Sequence, residues 1–356
     1  MLKYKNPKRA RRNRSNKNVI VKKLKKHKEK IVESIFASGV VGFIIKTLIM
    51  IIVSVDLIII KTPNNEKNTK IENNINNSSN NNTMKVAICT MGRNEILYIK
   101  EFISYHLNLG VDTLFIYDDN IDENEKFINA VTPNDSIVIE YTKNYSIKDL
   151  GEAFTHCYSK HKDEYDWILM IDMDEYLVIR NGTLKEYLSD KVFDKCDFIK
   201  IHWKIPSDNG LLHYENKSLF ERFKEHYKDS NHIKSILKGG INNLEYYQHS
   251  PTKSPERNIS CDNLGNILNV KKLNIQSLKD INTDRAYFIH FYFKSTEEYI
   301  NKFRRGYKDW PQSKLGGWIF NYFKNNEITI EKIEMFEKAF NITLDEYRKK
   351  FNNKNN

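Results

Sequence analysis

Trp167-Ile168-Leu169-Met170-Ile171-Asp172-Met173-Asp174-Glu175-Tyr176 is an apolar run that passes without a break into three carboxylates within four residues. A short apolar run of this kind reads as a buried strand. Alternation along an extended chain then sets Asp172 and Asp174 on the same side. Carboxylates held together repel each other unless a cation sits between them. Oxygen ligands suit Mg²⁺ or Mn²⁺, which also take phosphate oxygens from a substrate. The competing reading is a solvated acidic turn, because a bare Asp-x-Asp triplet is frequent by chance. What surrounds the strand decides between the two.

Upstream, Lys85–Thr90 is a second apolar run, also read as a strand. A helix follows from Glu95, with Ile96, Ile99, Ile103 and Leu107 at helical spacing and Gly110 as its stop. Thr113–Tyr117, ending in Asp118-Asp119, and Ile137–Tyr141 are further strands, and Lys148–His161 reads as a helix. Strands alternating with helices predict an α/β fold, a mostly parallel sheet flanked by helices. In such sheets ligands bind beyond the carboxyl ends of the strands. Three polar clusters fall there: Thr90 to Glu95, Asp118-Asp119, and Asp172 to Glu175. Their convergence favours the metal reading of the acidic triplet. The chain carries no internal repeat, Walker-type loop, GxGxxG, HExxH or nucleophile elbow.

The net charge of +11 is unevenly placed. Residues 1–30 hold 14 Lys or Arg and one acid, Glu29, whereas the remaining chain has 43 basic and 45 acidic residues. The basic charge is therefore a tail, and the nearly neutral body gives no reason to expect a nucleic-acid partner. Ile35 to Val55 is a 21-residue stretch whose only charge is Lys46, long enough to span a bilayer. Its 13 Ile, Leu, Val and Phe outweigh one central lysine on an insertion scale. The competing reading is an amphipathic or buried helix. The positive-inside rule would keep the tail cytoplasmic. The expected organisation is a basic cytoplasmic tail (1–34), a single transmembrane helix (35–60), an Asn-rich disordered stem (61–83) and a catalytic domain (84–356) ending in a helical extension (311–356). This is a type II topology with the catalytic domain lumenal or extracytoplasmic. Sequons at Asn76, Asn77, Asn81, Asn134, Asn144, Asn181, Asn216, Asn258 and Asn341 are compatible with it. The four cysteines, Cys89, Cys157, Cys196 and Cys261, have no close pairing of the zinc-site kind. One or two disulfides are open to them in an oxidising compartment.

Several blocks, taken in order, resemble the family 92 glycosyltransferases and related bacterial glycosyltransferase-2-like domains. They are Cys89-Thr90-Met91-Gly92-Arg93-Asn94-Glu95, then Tyr98, Glu101, Tyr105-His106 and Leu109-Gly110-Val111-Asp112, then Phe115 to Asp119. Trp167 to Tyr176 follows, then Ile201-His202-Trp203 with Asn209-Gly210, and Glu221-Arg222-Phe223. Lys234-Ser235-Ile236, His249, and Ile289 to Ser295 running on to Arg305-Gly306 complete the set. The resemblance spans roughly Lys85 to Trp310 and rests on the joint order of its blocks.

The resemblance implies a GT-A type fold, a nucleotide-diphosphate sugar donor and inversion at the sugar carbon, and the leading reading is transfer of a hexose from a UDP-sugar to a glycan or glycoprotein acceptor. It implies a divalent metal, Mn²⁺ or Mg²⁺, held with the donor by Asp172 and Asp174. Thr90, Arg93, Asn94, Glu95, Asp118 and Asp119 would border the nucleotide. His290 would be a third metal ligand or a diphosphate contact, against a core role between aromatic neighbours. Lys234, Lys238, Arg304 and Arg305 are candidates to stabilise the leaving diphosphate, each against a plain surface role. The chain departs from the family at Pro206-Ser207-Asp208 and at Phe291, which bears on the acceptor site.

An inverting transfer also needs a base for the acceptor hydroxyl, and a metal-bound carboxylate is a poor one. Asp208 is the candidate, in a loop after the strand Phe198–Trp203, with Glu175 behind it. The plainer reading of Asp208 is a turn residue before Asn209-Gly210. Trp203, Trp310 and Trp318 either stack on sugar rings or pack the core. Two other functions fit part of the pattern. One is a metal-dependent phosphodiesterase, which the single acidic cluster disfavours. The other is an inactive membrane-tethered carbohydrate-binding protein, which retention of both aspartates disfavours.

Overall fold

The computed structural model describes residues 84–225, 227–270, 272–304, 316–341, 343 and 346. The expected tail (1–34), transmembrane helix (35–60) and stem (61–83) lie outside the described residues. Among the described residues no helix is long and apolar enough to cross a membrane.

The chain runs β1 (Val86–Gly92), α1 (Ile99–Leu109), β2 (Thr113–Asp118), β3 (Ile137–Tyr141), α2 (Leu150–His161) and β4 (Trp167–Met170). It continues through β5 (Glu175–Ile179), the short helix α3 (Leu184–Leu188), β6 (Phe198–Ile205), α4 (Leu219–Arg222) and β7 (Lys228–Lys238). A separate hairpin of β8 (Glu245–Tyr247) and β9 (Ser250–Lys253) precedes β10 (Ser260–Cys261) and β11 (Ala286–His290). Three helices follow: α5 (Thr296–Arg304), α6 (Gly316–Asn325) and α7 (Ile330–Phe340).

β2 and β3 add in parallel on one side of β1, and β4 adds in parallel on the other. β7 then inserts antiparallel between β4 and β6. β11 lies parallel to β6 and antiparallel to β5, and β10 pairs in parallel with β6. The result is a mixed α/β fold around a mostly parallel sheet of nine strands, in the order β3-β2-β1-β4-β7-β6-β11-β5 with β10 beside β6.

Strand alternation sorts the core onto two faces. Val86, Ile88, Leu114, Ile116 and Leu169 pack on one face with Ile99, Phe102 and Ile103 of α1. Ala87, Cys89, Phe115, Tyr117, Ile168 and Met170 pack on the other with Ala153, Phe154 and Tyr158 of α2. β4 reads as an unbroken apolar run because both of its faces are covered. Full burial of each large apolar side chain contributes about 1.5–3 kcal/mol.

Sequence chemistry sets the helix ends. Gly110, at φ 108°, donates its backbone N–H to the His106 and Leu107 carbonyls and closes α1. Asp149 caps α2 by accepting from the Glu152 N–H at 2.9 Å. α1 begins at Ile99 rather than at Glu95, because Asn94 takes a left-handed φ of 58° and a turn follows, with Tyr98 N donating to Glu95 O at 2.9 Å. The four cysteines form two disulfides: Cys89–Cys157 ties β1 to α2, and Cys196–Cys261 ties the approach to β6 to β10. Within the expected helical extension, α6 and α7 pack with α5 through a third apolar cluster that includes Phe293, Tyr299, Phe303, Tyr322 and Phe336.

Candidate active site

After β1 the chain builds outward through β2 and β3, then returns to the opposite side of β1 as β4. The strand order thus reverses between β1 and β4, and a crevice lies beyond their carboxyl ends. In an open α/β sheet that is where a ligand binds. Here it is a cavity of about 1050 Å³. One part is walled by Met91, Gly92, Arg93, Asp119 and the start of α2; another by Trp203, Pro206, Asp229, His232 and Asn325. Asp172, Met173, Asp174 and His290 also line it. Gly92 permits the close approach of the two loops, since a Cβ there would stand 2.0 Å from the Met173 sulfur.

The acidic tip is dense with charge. Asp172 Oδ2 is 3.0 Å from Lys234 Nζ, and Glu175 Oε2 is 3.7 Å from the same nitrogen. Lys234 is fully buried and also donates to the Gln248 carbonyl at 2.7 Å. Asp174 Oδ2 is 2.8 Å from Lys302 Nζ, and its Oδ1 is 3.3 Å from His290 Nε2. Burial alone would raise the Asp174 carboxyl, but Lys302 and His290 beside it outweigh that and hold it well below the usual range. Glu175 goes the other way. Burial, reinforced by Asp172 and Asp174, pushes it well above the usual range despite Lys234. Its Oε2 accepts from the Asp172 N–H at 3.0 Å and so fixes the turn of the motif.

Hydrogen-bonding capacity is left over at this tip. Asp172 Oδ1, Glu175 Oε1 and His290 Nδ1 are buried without a hydrogen-bond partner. Two carboxylates and an imidazole are ligands that Mn²⁺ accepts, and carboxylates alone suit Mg²⁺. Among the described residues no three His, Cys, Asp or Glu side chains converge into a ready-made cage. That fits a cation taken up on one or two carboxylates together with substrate phosphate. Asp172 and Asp174 are therefore compatible with the expected metal, while His290, the expected third ligand, forms no three-ligand set with them among the described residues.

The other expected residues separate into two groups. Arg93 and Asp119 line the cavity and pair with each other, and Thr142 Oγ1 donates to Asp119 Oδ1 at 2.8 Å. Glu95 also lines it, paired with the buried Lys294 at 2.6 Å. Thr90, Asn94 and Asp118 do not line it. Asp118 accepts from Asn120 N and Phe127 N, each at 2.9 Å, and shapes the loop after β2. Asn94 N donates to Asn120 Oδ1 at 2.6 Å, in support of the same loop. Lys238 and Arg304 also stand outside the lining, and Arg305 and Trp310 lie outside the described residues.

Asp208, expected as the base, does not line the cavity either. It is buried beneath α6 and α7, with Lys332 Nζ at 2.7 Å, the Tyr322 hydroxyl donating to Oδ2 and Gly210 N donating to Oδ1 at 2.9 Å. A carboxylate so placed holds a loop against helices and stands off the cavity wall. Sequence reasoning missed Lys294 and Lys302 as the partners of Glu95 and Asp174. The one available signal was charge balance, since three acids at one strand end need bases from elsewhere. Trp203 joins the cavity wall, stacked on His232 with centroids 5.2 Å apart and meeting His290 edge-on at 4.4 Å.

Comparison with known proteins bears on the family. The family model described as Glycosyltransferase family 92 matches residues 82–308. A glycosyltransferase family 92 protein of Oryza sativa subsp. japonica is 33% identical over 105 residues, 29% of this chain and 18% of that one. One of Arabidopsis thaliana is 32% identical over 93 residues, 26% of this chain and 16% of that one. The aligned stretch thus spans less than a fifth of the length of these relatives. Among solved structures, HddC from Yersinia pseudotuberculosis aligns at TM-score 0.25 and 10% identity over 44% of this chain and 70% of that one, too slight a likeness to carry an argument.

Proposed function

The chain belongs to glycosyltransferase family 92, and on that premise we propose that its cavity transfers a hexose from a UDP-sugar, with inversion, to a glycan or glycoprotein. The observation that carries this reading is the opening of Arg93, Asp119, Asp172 and Asp174 onto one cavity at the point where the strand order reverses. In this reading the domain is of GT-A type. The β1 and β2 ends would receive the nucleotide, and Asp172 and Asp174, with His290 beside them, would hold Mn²⁺ or Mg²⁺, which would supply positive charge for the diphosphate. The bound ion would neutralise charge gathering on the leaving group.

The chain's own residues do the rest. Lys234, locked between Asp172 and Glu175, keeps the acidic tip from repelling itself apart. The acceptor enters on the Trp203–His232 side. Its hydroxyl oxygen bonds to the anomeric carbon as that carbon's bond to the diphosphate oxygen breaks, with the electron pair leaving on the diphosphate. The hydroxyl proton passes to a carboxylate in the wall. Asp229 of β7 lines that side and takes this role in place of Asp208.

The same reading tethers the domain to a membrane through residues 35–60, across from the basic tail. Two buried disulfides support an oxidising compartment. Protease treatment of sealed vesicles checks the topology, which requires the catalytic part to survive attack from the cytoplasmic side. For the chemistry, the full-length chain in detergent is incubated with UDP- and GDP-sugars, with and without Mn²⁺. Transfer from a UDP-hexose that EDTA abolishes is expected. Undiminished transfer in EDTA would remove the metal from the reading. Phosphodiester cleavage without transfer would remove the transferase.

A further inference from the structure

We propose that Lys302 is a displaceable counter-ion: it stands on Asp174 until a nucleotide diphosphate draws it away, so that divalent cation and nucleotide bind cooperatively. This rests on the reading of the cavity as a metal-assisted nucleotide-sugar site, and it assigns a part to a residue that reading did not use.

Two lysines serve the two aspartates of the motif, and they are held differently. Lys234 is fully buried and has three oxygen neighbours, from Asp172, Glu175 and the Gln248 carbonyl. It is a fixed part of the tip. Lys302 retains 16% side-chain exposure, lines the cavity, and reaches Asp174 Oδ2 at 2.8 Å from the last turn of α5. Its ammonium rests over the Tyr292 ring at 4.8 Å. The helix that carries it is anchored at its other end. There Glu298 pairs with Arg222, and its Oε2 accepts from Ser295 Oγ at 2.6 Å. Displacement would move the long, flexible lysine side chain while the first turn of α5 stays anchored.

The electrostatics make that displacement conditional. An ammonium already satisfies the Asp174 oxygen that a dication would claim, and the two cations would repel each other strongly at contact distance. A cation arriving alone must therefore expel Lys302 into solvent. A cation arriving with a diphosphate brings negative oxygens, which give Lys302 a new charge-assisted partner within the same cavity. Each ligand then assists the other, and linkage makes the coupling the same in both directions.

The test is Mn²⁺ binding to the full-length chain in detergent, followed by the electron paramagnetic resonance signal of free Mn²⁺, with and without UDP and corrected for Mn²⁺–UDP association in solution. In the wild type, UDP should tighten Mn²⁺ binding by roughly 5–150-fold, the usual range of such couplings. Lys302→Met should bind Mn²⁺ more tightly than the wild type when UDP is absent, and its coupling should fall several-fold, to what direct contact between ion and diphosphate supplies. Lys302→Arg should keep most of the coupling, because a cation is retained. Lys302→Gln serves as a second neutral variant, and thermal melts confirm that each is folded. Unchanged coupling in both neutral variants, or weaker Mn²⁺ binding without UDP, overturns the proposal and leaves the metal reading intact. If neither the wild type nor any variant binds Mn²⁺ under either condition, the metal reading itself fails and takes this proposal with it.

Discussion

Asp174–Lys302 and Asp208–Lys332 each set a buried aspartate against a lysine, at 2.8 and 2.7 Å, yet their surroundings differ. Around Asp208 the bonding is complete. Tyr322, Gly210 and Lys332 serve its oxygens, Lys332 also donates to the Glu327 carbonyl at 2.8 Å, and the aromatic cluster of α5, α6 and α7 packs nearby. Around Asp174 the bonding is incomplete. Its neighbours Asp172, Glu175 and His290 each present a buried polar atom with no hydrogen-bond partner, and Asp172, Asp174 and His290 line a cavity. Burial and charge pairing are common to both places and so do not mark function. Unused hydrogen-bonding capacity beside open space does.

The sharpest break of this contrast comes from replacing each aspartate by asparagine. Asp174→Asn should lower sugar transfer by about 10²–10³-fold, the scale for losing one electrostatic contact to the transition state. Its melting temperature should fall less than that of Asp208→Asn, because Lys302 keeps access to solvent. Asp208→Asn should do the reverse. Leaving Lys332 buried without its counter-ion costs about 3 kcal/mol, and the melting temperature falls by roughly 2–4 °C for each of those. Turnover per folded molecule should stay within about twofold of the wild type, far from the loss expected when a general base is removed. A hundredfold loss of turnover with an unchanged melt would restore Asp208 as the base.

A third buried lysine extends the comparison. Lys200 has no carboxylate partner among the described residues. Its nitrogen donates to Ser235 Oγ at 2.9 Å and Ser250 Oγ at 3.1 Å, and both serines donate onward to carbonyls. That arrangement suits a neutral amine with two N–H groups, and burial lowers its pKa to about 7. The unfolded chain holds this proton to near the ordinary lysine value of about 10.4. Between those limits the unfolded state binds the extra proton, so stability should rise with pH from about 7 towards 10. Denaturant titrations across that range check it: Lys200→Met should flatten the rise and be the more stable protein at pH 7. A rise undiminished in the variant would show that Lys200 is not its source.

Much of the parallel half was legible because its strands and helices follow short-range patterns. Ile137–Tyr141 was read with its observed bounds, and the strands from Lys85, Thr113 and Trp167 were each placed to within a residue or two at either end. Strand ends then brought Arg93, Glu95, Asp119, Asp172 and Asp174 to one cavity. The other half was less legible. β7 inserts between β4 and β6 through long-range antiparallel pairing, and its first residues, Lys228 to His232, are polar and carry no apolar signature. The partners of the acids were hidden for a related reason. Lys302 lies 128 residues from Asp174 and Tyr322 lies 114 from Asp208, and only the folded helices bring them together. Asp208 was misplaced because its loop was judged by its position after a strand, without the helices that cover it.

The two disulfides pair neighbours in chain order, Cys89 with Cys157 and Cys196 with Cys261, and neither ring encloses or crosses the other. Synthesis proceeds at roughly 5–20 residues per second. Once Cys157 emerges, Cys89 therefore has its native partner to itself for seconds, before Cys196 exists to compete. The second pair can then close with the first already locked. In an oxidising compartment the order of emergence alone favours the native pairs, and isomerase-driven reshuffling becomes a correction rather than a requirement.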